Sequence, residues 1–154
     1  MGRIENLTSI DPGTGENIGV SRFKLRVLIS CSLVGVGWHY RRDPGLGEEH
    51  VALEVPRVYR GFTKRPNDIV DLALEAGELW YECPREYRVK RFPADWKAQV
   101  DPDIMIERIK AHLTAKELQM AEASIEAYGA KGHNVWDSIG LGLVVLGRMG
   151  KGGR

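Results

Sequence analysis

The chain reads as an α/β domain: a five-stranded mixed sheet, a three-strand antiparallel meander plus two further strands, flanked by helices. Three observations carry that reading. Apolar, β-branched runs near the start are separated by a Gly-rich turn; a stretch of helical periodicity separates two later strand-like runs; and the last third is helical in its spacing.

Leu7 to Asp11, Ile18 to Phe23 and Leu25 to Leu33 read as the meander, the first two joined by Pro12-Gly13-Thr14-Gly15. Residues 35 to 49 carry Gly35, Gly37, Pro44, Gly45 and Gly47 among charges and read as a loop. His50 to Val55 makes a fourth strand. From Asn67 to about Trp80, apolar Ile69, Leu72, Ala73, Ala76 and Leu79 share a helical face, with Pro66 and Asp68 where helix starts favour them. Tyr87 to Phe92 resembles a fifth strand, ended by Pro93. Helix follows from Asp103 towards Leu113. Thr114 and Glu117 then form a capping box ahead of the Leu118, Ala121, Ile125, Tyr128 stripe. Asn134 to Met149 is read as helix because Val135, Ile139, Leu143 and Leu146 form one stripe. Gly140 and Gly142, each costing about 1 kcal/mol relative to alanine, make sense there if this helix packs closely on a sheet.

At 154 residues, with 43% apolar and 28% charged residues, the chain fits one globular domain. Residues 1–149 are assigned to it and residues 150–154 to a flexible basic tail. No apolar run approaches the ~20 residues of a membrane span. The N-terminus lacks a secretory pattern, so the cytoplasm is the expected compartment, that of a bacterium or of a virus's host. Cys31 and Cys83 have neither metal nor disulfide spacing and are read as structural. The net charge is only +1, but its distribution is uneven. Arg57, Arg60, Lys64 and Arg65 share an acid-free segment with Tyr59 and Phe62. Arg85, Arg88, Lys90, Arg91 and Lys97 form a second basic group.

The chemistry-bearing residues are acids at strand ends. Asp11 closes Ser9-Ile10-Asp11 before a Pro-Gly turn, Glu54 closes Val51-Ala52-Leu53-Glu54, and Asp137 lies in His133-Asn134-Val135-Trp136-Asp137-Ser138-Ile139-Gly140. Carboxylates held together raise one another's pKa and repel unless a cation neutralises them. Hard oxygen donors of this kind select magnesium or manganese.

Four segments, Ser9-Ile10-Asp11-Pro12-Gly13, Val51-Ala52-Leu53-Glu54, Phe92-Pro93-Ala94-Asp95-Trp96-Lys97 and His133 to Leu143, together resemble those of RuvC-type Holliday junction resolvases, especially phage-like versions. The order of elements is that of the ribonuclease-H-like fold to which they belong. The resemblance covers nearly the whole chain. It implies a magnesium-dependent (or manganese-dependent) endonuclease that, as a homodimer, cuts opposed strands of a four-way DNA junction. Two ions roughly 3.5–4 Å apart would hold the scissile phosphate. Asp11 would bridge both, with Glu54 on one and Asp137 on the other. A fourth ligand is expected one helical turn before Asp137, where His133 and Asn134 both stand; His133 is favoured, as a ligand or proton carrier. Lys97 matches the lysine near the scissile phosphate, where a point charge stabilises the transition state. The glycine that often follows is here Ala98, and a later family lysine is replaced near Asp103.

Arg57, Tyr59, Arg60, Phe62, Lys64, Arg65, Lys90, Arg91 and Lys97 are the expected DNA-binding residues, with Tyr59 or Phe62 able to stack on an unpaired base. Trp38, His39 and Tyr40, before Arg41 and Arg42, form a second candidate tip. The helical region from Ile104 to Tyr128 is a candidate dimer interface, although its apolar stripe could equally be buried within one subunit. Asp11-Pro12-Gly13-Thr14-Gly15 also resembles the phosphate loop of actin-like ATPases, but the chain has no second loop or lobe, so no nucleotide cofactor is expected. The remaining alternatives are a junction-binding protein without cutting activity and a related nuclease of forks, flaps or hybrids.

Overall fold

The structure, a computed structural model, describes residues 3–13, 17–35, 38, 49–57 and 66–154. Strand β1 is Leu7–Asp11, β2 Ile18–Lys24, β3 Val27–Val34, β4 His50–Glu54 and β5 Arg88–Arg91. The helices are α1 Pro66–Glu82, α2 Pro93–Trp96, α3 Pro102–Ala111, α4 Ala115–Ile125 and α5 Gly132–Val145, with 3-10 turns at Glu126–Lys131 and Lys151–Gly153. The five strands form one mixed sheet in the order β3-β2-β1-β4-β5. β1 pairs antiparallel with β2 and parallel with β4, and β5 is parallel to β4. A parallel neighbour requires a crossover connection, and α1 supplies the one between β4 and β5.

Strand alternation sends successive side chains to opposite faces of the sheet. Ile10, Ile18, Val20, Val51 and Leu53 meet Ala76, Leu79 and Cys83 of the α1 region on one face. Leu7, Phe23, Leu28 and Ala52 join Trp96, Ile109, Ala121, Val135, Ile139 and Leu143 on the other. By the same parity Asp11 shares the face of Leu7 and Ser9, and Glu54 that of Ala52.

Helix α5 sits on that second face through three contacts four residues apart. Asn134 donates from Nδ2 to the carbonyl oxygen of Asn17 at 2.5 Å. Ser138 accepts from Ser9 Oγ at its carbonyl oxygen (2.6 Å), and its hydroxyl lies 2.5 Å from that of Ser21. At Gly142 an added Cβ would stand 2.2 Å from the Phe23 ring, and at Gly140 one would stand 2.7 Å from both Ile109 and Trp96. The glycines are therefore the close-approach positions expected of them. The serines are fully buried, and their hydrogen bonds remove the desolvation penalty such hydroxyls would otherwise carry.

A second polar joint closes the far end. Glu117, 2% exposed, completes the Thr114 capping box (2.8 and 3.3 Å). It also accepts from Leu28 N at 2.7 Å and takes a two-point contact from Arg148 at 2.6 and 2.8 Å. Arg148 further donates to the carbonyls of Arg26 and His112. Burial alone would raise the Glu117 carboxyl, but Arg148 and the backbone donors outweigh it and hold it down at about 2.

Several boundaries differ from expectation. β3 starts at Val27 rather than Leu25, because Leu25 and Arg26 adopt positive φ (49° and 68°) in a tight turn. Pro93–Trp96 is a short helix, opened by Phe92 N donating to Asp95 Oδ2 at 2.9 Å. The helix before Tyr128 gives way to a 3-10 turn kinked at Gly129, φ 55°. The expected tail folds as a turn whose Gly152 is buried and accepts from Arg108. In α3 and α4, Met105, Ile109, Ala121 and Ile125 are buried in the chain's own core, so that stripe serves the subunit itself. Both cysteines are buried and free, and burial pushes the Cys31 thiol up to about 11, as structural thiols should be. Among the described residues no helix is long and apolar enough to cross a membrane.

Gly142→Ala tests the docking of α5. Alanine favours helix by about 1 kcal/mol, yet its methyl collides with Phe23 and overpacking costs roughly 1–3 kcal/mol. The expected outcome in urea unfolding is a net loss of stability; a gain would contradict the close approach.

Candidate active site

Ile10 and Leu53 are register partners on parallel strands. One residue further on, at the same end of the sheet, stand Asp11 and Glu54. They lie in the middle of the sheet, 5% and 8% exposed, where the flanking strands exclude water. Asp137 reaches the same place from α5. Its neighbour Ser138 is fixed against Ser9 and Ser21, so the rotation of the helix, and with it the position of Asp137, is set by the buried serines.

Lys97 joins the acids. Its Nζ lies 2.6 Å from Asp137 Oδ2 and 3.1 Å from Glu54 Oε1. Trp96, fully buried, donates from Nε1 to the other Glu54 oxygen at 2.7 Å, so both Glu54 oxygens are engaged. The two donors are consecutive residues leaving α2, and Ala98 directly after them has φ 55°, the left-handed region that favours glycine. Alanine there costs about 1 kcal/mol or more relative to glycine.

Burial, then the Glu54 charge, holds the Asp11 carboxyl well above its ordinary range. Lys97 pulls it back, while Asp137 and a hydrogen bond shared with Glu54 push it further up. Glu54 is raised by burial and by Asp137 against the lowering pull of Lys97 and Trp96. Burial would lower the Lys97 ammonium, but the three acids together more than reverse this and raise it. Three carboxylates facing one ammonium carry more negative charge than Lys97 can offset, and Asp11 bears the strain.

Among the described residues no three acidic, histidine or cysteine side chains form a ready-made metal cage. The donor set nevertheless suits a hard divalent cation: buried carboxylate oxygens, mutually destabilised, with an ammonium standing where positive charge is needed. Asp11, Glu54 and Asp137 are the residues that would hold such an ion.

The other expected site residues divide. Arg57, Lys90 and Arg91 lie at the same sheet end: Arg91 is the register partner of Glu54 on β5, and Val55 N donates to Arg91 O at 2.8 Å. The Arg57 guanidinium lies 5.0 Å and Lys90 Nζ 5.7 Å from the centre of the Phe92 ring. His133 is exposed at the start of α5, its Nδ1 2.8 Å from the Ala130 carbonyl oxygen, and it contributes no hydrogen bond to the carboxylates. It lines an open hollow of about 450 Å³ beside Pro12 and Gly13. Asn134 tethers the β1–β2 connection through Asn17. Tyr59, Arg60, Phe62, Lys64 and Arg65, and His39, Tyr40, Arg41 and Arg42 of the second tip, lie outside the described residues.

The contacts made by Trp96 and Phe92 add to the roles the sequence motifs mark. A buried indole N–H needs an acceptor, and Trp96 directly precedes a candidate lysine; that was the available signal. For Phe92 it was an aromatic following Lys90 and Arg91.

Comparison with family profiles, with curated proteins and with solved structures found no match to this chain.

Asp11→Asn is expected to stabilise the protein in chelator. Since Asp11 is raised by folding, its favourable contribution is full below about 3.8 and is lost as pH rises through the raised value. Asparagine escapes that loss and can still donate to Glu54. Thermal melts should show a gain at pH 8 of roughly 2–4 °C, the shift about 1 kcal/mol gives at this length, shrinking as pH falls towards 4. A variant less stable than wild type at pH 8 would contradict the assignment of charge strain.

Proposed function

We propose that the protein is a RuvC-like, ribonuclease-H-like endodeoxyribonuclease that resolves four-way DNA junctions by paired, metal-dependent phosphodiester hydrolysis. The observation that carries the reading is the meeting of Asp11, Glu54 and Asp137, from two adjacent parallel strand ends and one helix, with Lys97 between Glu54 and Asp137 and with Arg57, Lys90 and Arg91 at the same end of the sheet. The meander β1 to β3 followed by parallel β4 and β5 is also the element order this fold calls for.

Acid and base face different parts of the substrate in this scheme. The acids supply hard oxygen donors, and the basic residues supply a track for the phosphate backbone, which dominates nucleic-acid affinity. One or two magnesium or manganese ions held by the acids would supply Lewis-acid activation of water and neutralise charge on the phosphate. Lys97, as a point charge on a flexible stem, suits a phosphate oxygen. Trp96 keeps Glu54 oriented. The twofold symmetry of a four-way junction calls for two related active sites, hence a homodimer.

A second reading, a junction-binding protein without cutting activity, is favoured by one feature: the carboxylates are bridged by Lys97 and do not form a ready cage. One experiment separates the two. Labelled junction, fork, flap and duplex are incubated with magnesium, manganese or chelator, beside Asp11→Asn. The expected result is paired nicks in the junction that need metal, with the variant at least about 100-fold slower while still binding, on the scale by which electrostatic groups act on a transition state. Equal cleavage of plain duplex would overturn the junction assignment, and an active Asp11→Asn the site. Tight junction binding with no cleavage in either metal would establish the second reading.

A further inference from the structure

We propose that Lys97 is an exchangeable internal cation: its ammonium fills the gap between Glu54 and Asp137 and must leave that gap for a divalent ion to enter. The inference deepens the functional reading and rests on these acids being metal ligands.

The geometry carries it. Lys97 Nζ is within 3.1 Å of one oxygen from each of Glu54 and Asp137. A magnesium-sized ion draws its oxygens to roughly 2.0–2.1 Å, so an ion shared by those two oxygens would lie close against the ammonium that now bridges them. Two positive centres that close repel strongly in a site shielded from water. The ion and the ammonium are therefore alternative occupants of one position.

The surroundings permit exchange. Lys97 keeps 22% of its side chain exposed, which leaves the ammonium a way out to solvent along its four-carbon stem. Its base is anchored: Trp96 is fully buried and bonded to Glu54, and the positive-φ turn at Ala98 lies directly behind. Glu54 thus keeps one oxygen fixed by Trp96 while the other changes partner. Arg57, Lys90 and Arg91 gather at the same sheet end, so a released ammonium joins a positive track and favours a phosphate. Metal entry would in this way deliver Lys97 to the substrate.

Two measurements test the exchange without relying on cleavage. In the first, wild-type protein is acetylated briefly with an N-hydroxysuccinimide ester, in chelator or in manganese, and each lysine is quantified by mass spectrometry. Lys97 modification should rise several-fold with manganese, while Lys110, ion-paired with Glu107 and Glu122, should not change. Unchanged or reduced Lys97 labelling overturns the proposal. In the second, manganese binding is measured by calorimetry for wild type and Lys97→Met. Removing the competing charge should tighten binding at least about tenfold, the scale on which a nearby unit charge acts. Equal or weaker binding by the variant, or no binding by either protein, overturns it. Should Lys97→Met not fold, wild-type labelling decides alone. Exchange without junction cleavage would leave this inference standing and remove the nuclease reading; metal-dependent cleavage without exchange would do the reverse.

Discussion

Two carboxylates buried side by side at the ends of adjacent parallel strands are the constraint around which the molecule is arranged. Burial and mutual repulsion both penalise the ionised forms of Asp11 and Glu54, so a nearby cation favours them. Lys97 answers part of that demand, and Asp137 adds to it. A protein concerned only with stability would place apolar side chains at these positions, since buried ionic groups add little over well-packed hydrophobic ones. Three acids around one ammonium fit the cation site proposed above.

The remainder of the fold holds those groups in register. Asn134, Ser138 and Gly142 let α5 approach the sheet closely, which fixes where Asp137 projects. Trp96 packs under α5 and orients Glu54, so the four-residue α2 and Lys97 directly after it carry two of the contacts that define the site. At the opposite end the Glu117–Arg148 pair binds the β2–β3 turn, the end of α3 and the start of α4 into one joint. One end of the molecule is thereby closed by a neutralised pair, while the other concentrates charge that is only partly neutralised.

Much of this was legible in the chain. The meander followed from alternating apolar runs, α1 and α5 from helical stripes, and the role of Gly140 and Gly142 from their cost inside a helix. The strand-end position of Asp11 and Glu54 was readable because an apolar run that stops on an acid delivers it to a sheet edge. Other features depend on tertiary context. Leu25 and Arg26 show no local sign of positive φ, so the apolar run alone extends β3 two residues beyond its true start at Val27. The exposed placement of His133 and the tether made by Asn134 depend on how α5 meets the β1–β2 connection. That Lys97 bridges two acids follows from the short helix before it, which residue spacing alone does not reveal.

β1, β4 and α5 bring three carboxylates together at one end of the sheet, where the proposed cation would bind. Crystals grown with manganese and measured at its absorption edge test it most directly. The expected result is an anomalous peak within coordination distance of Asp11, Glu54 and Asp137, with Lys97 Nζ no longer between the last two. A map with no peak there, with Lys97 still bridging Glu54 and Asp137 at saturating manganese, would contradict it.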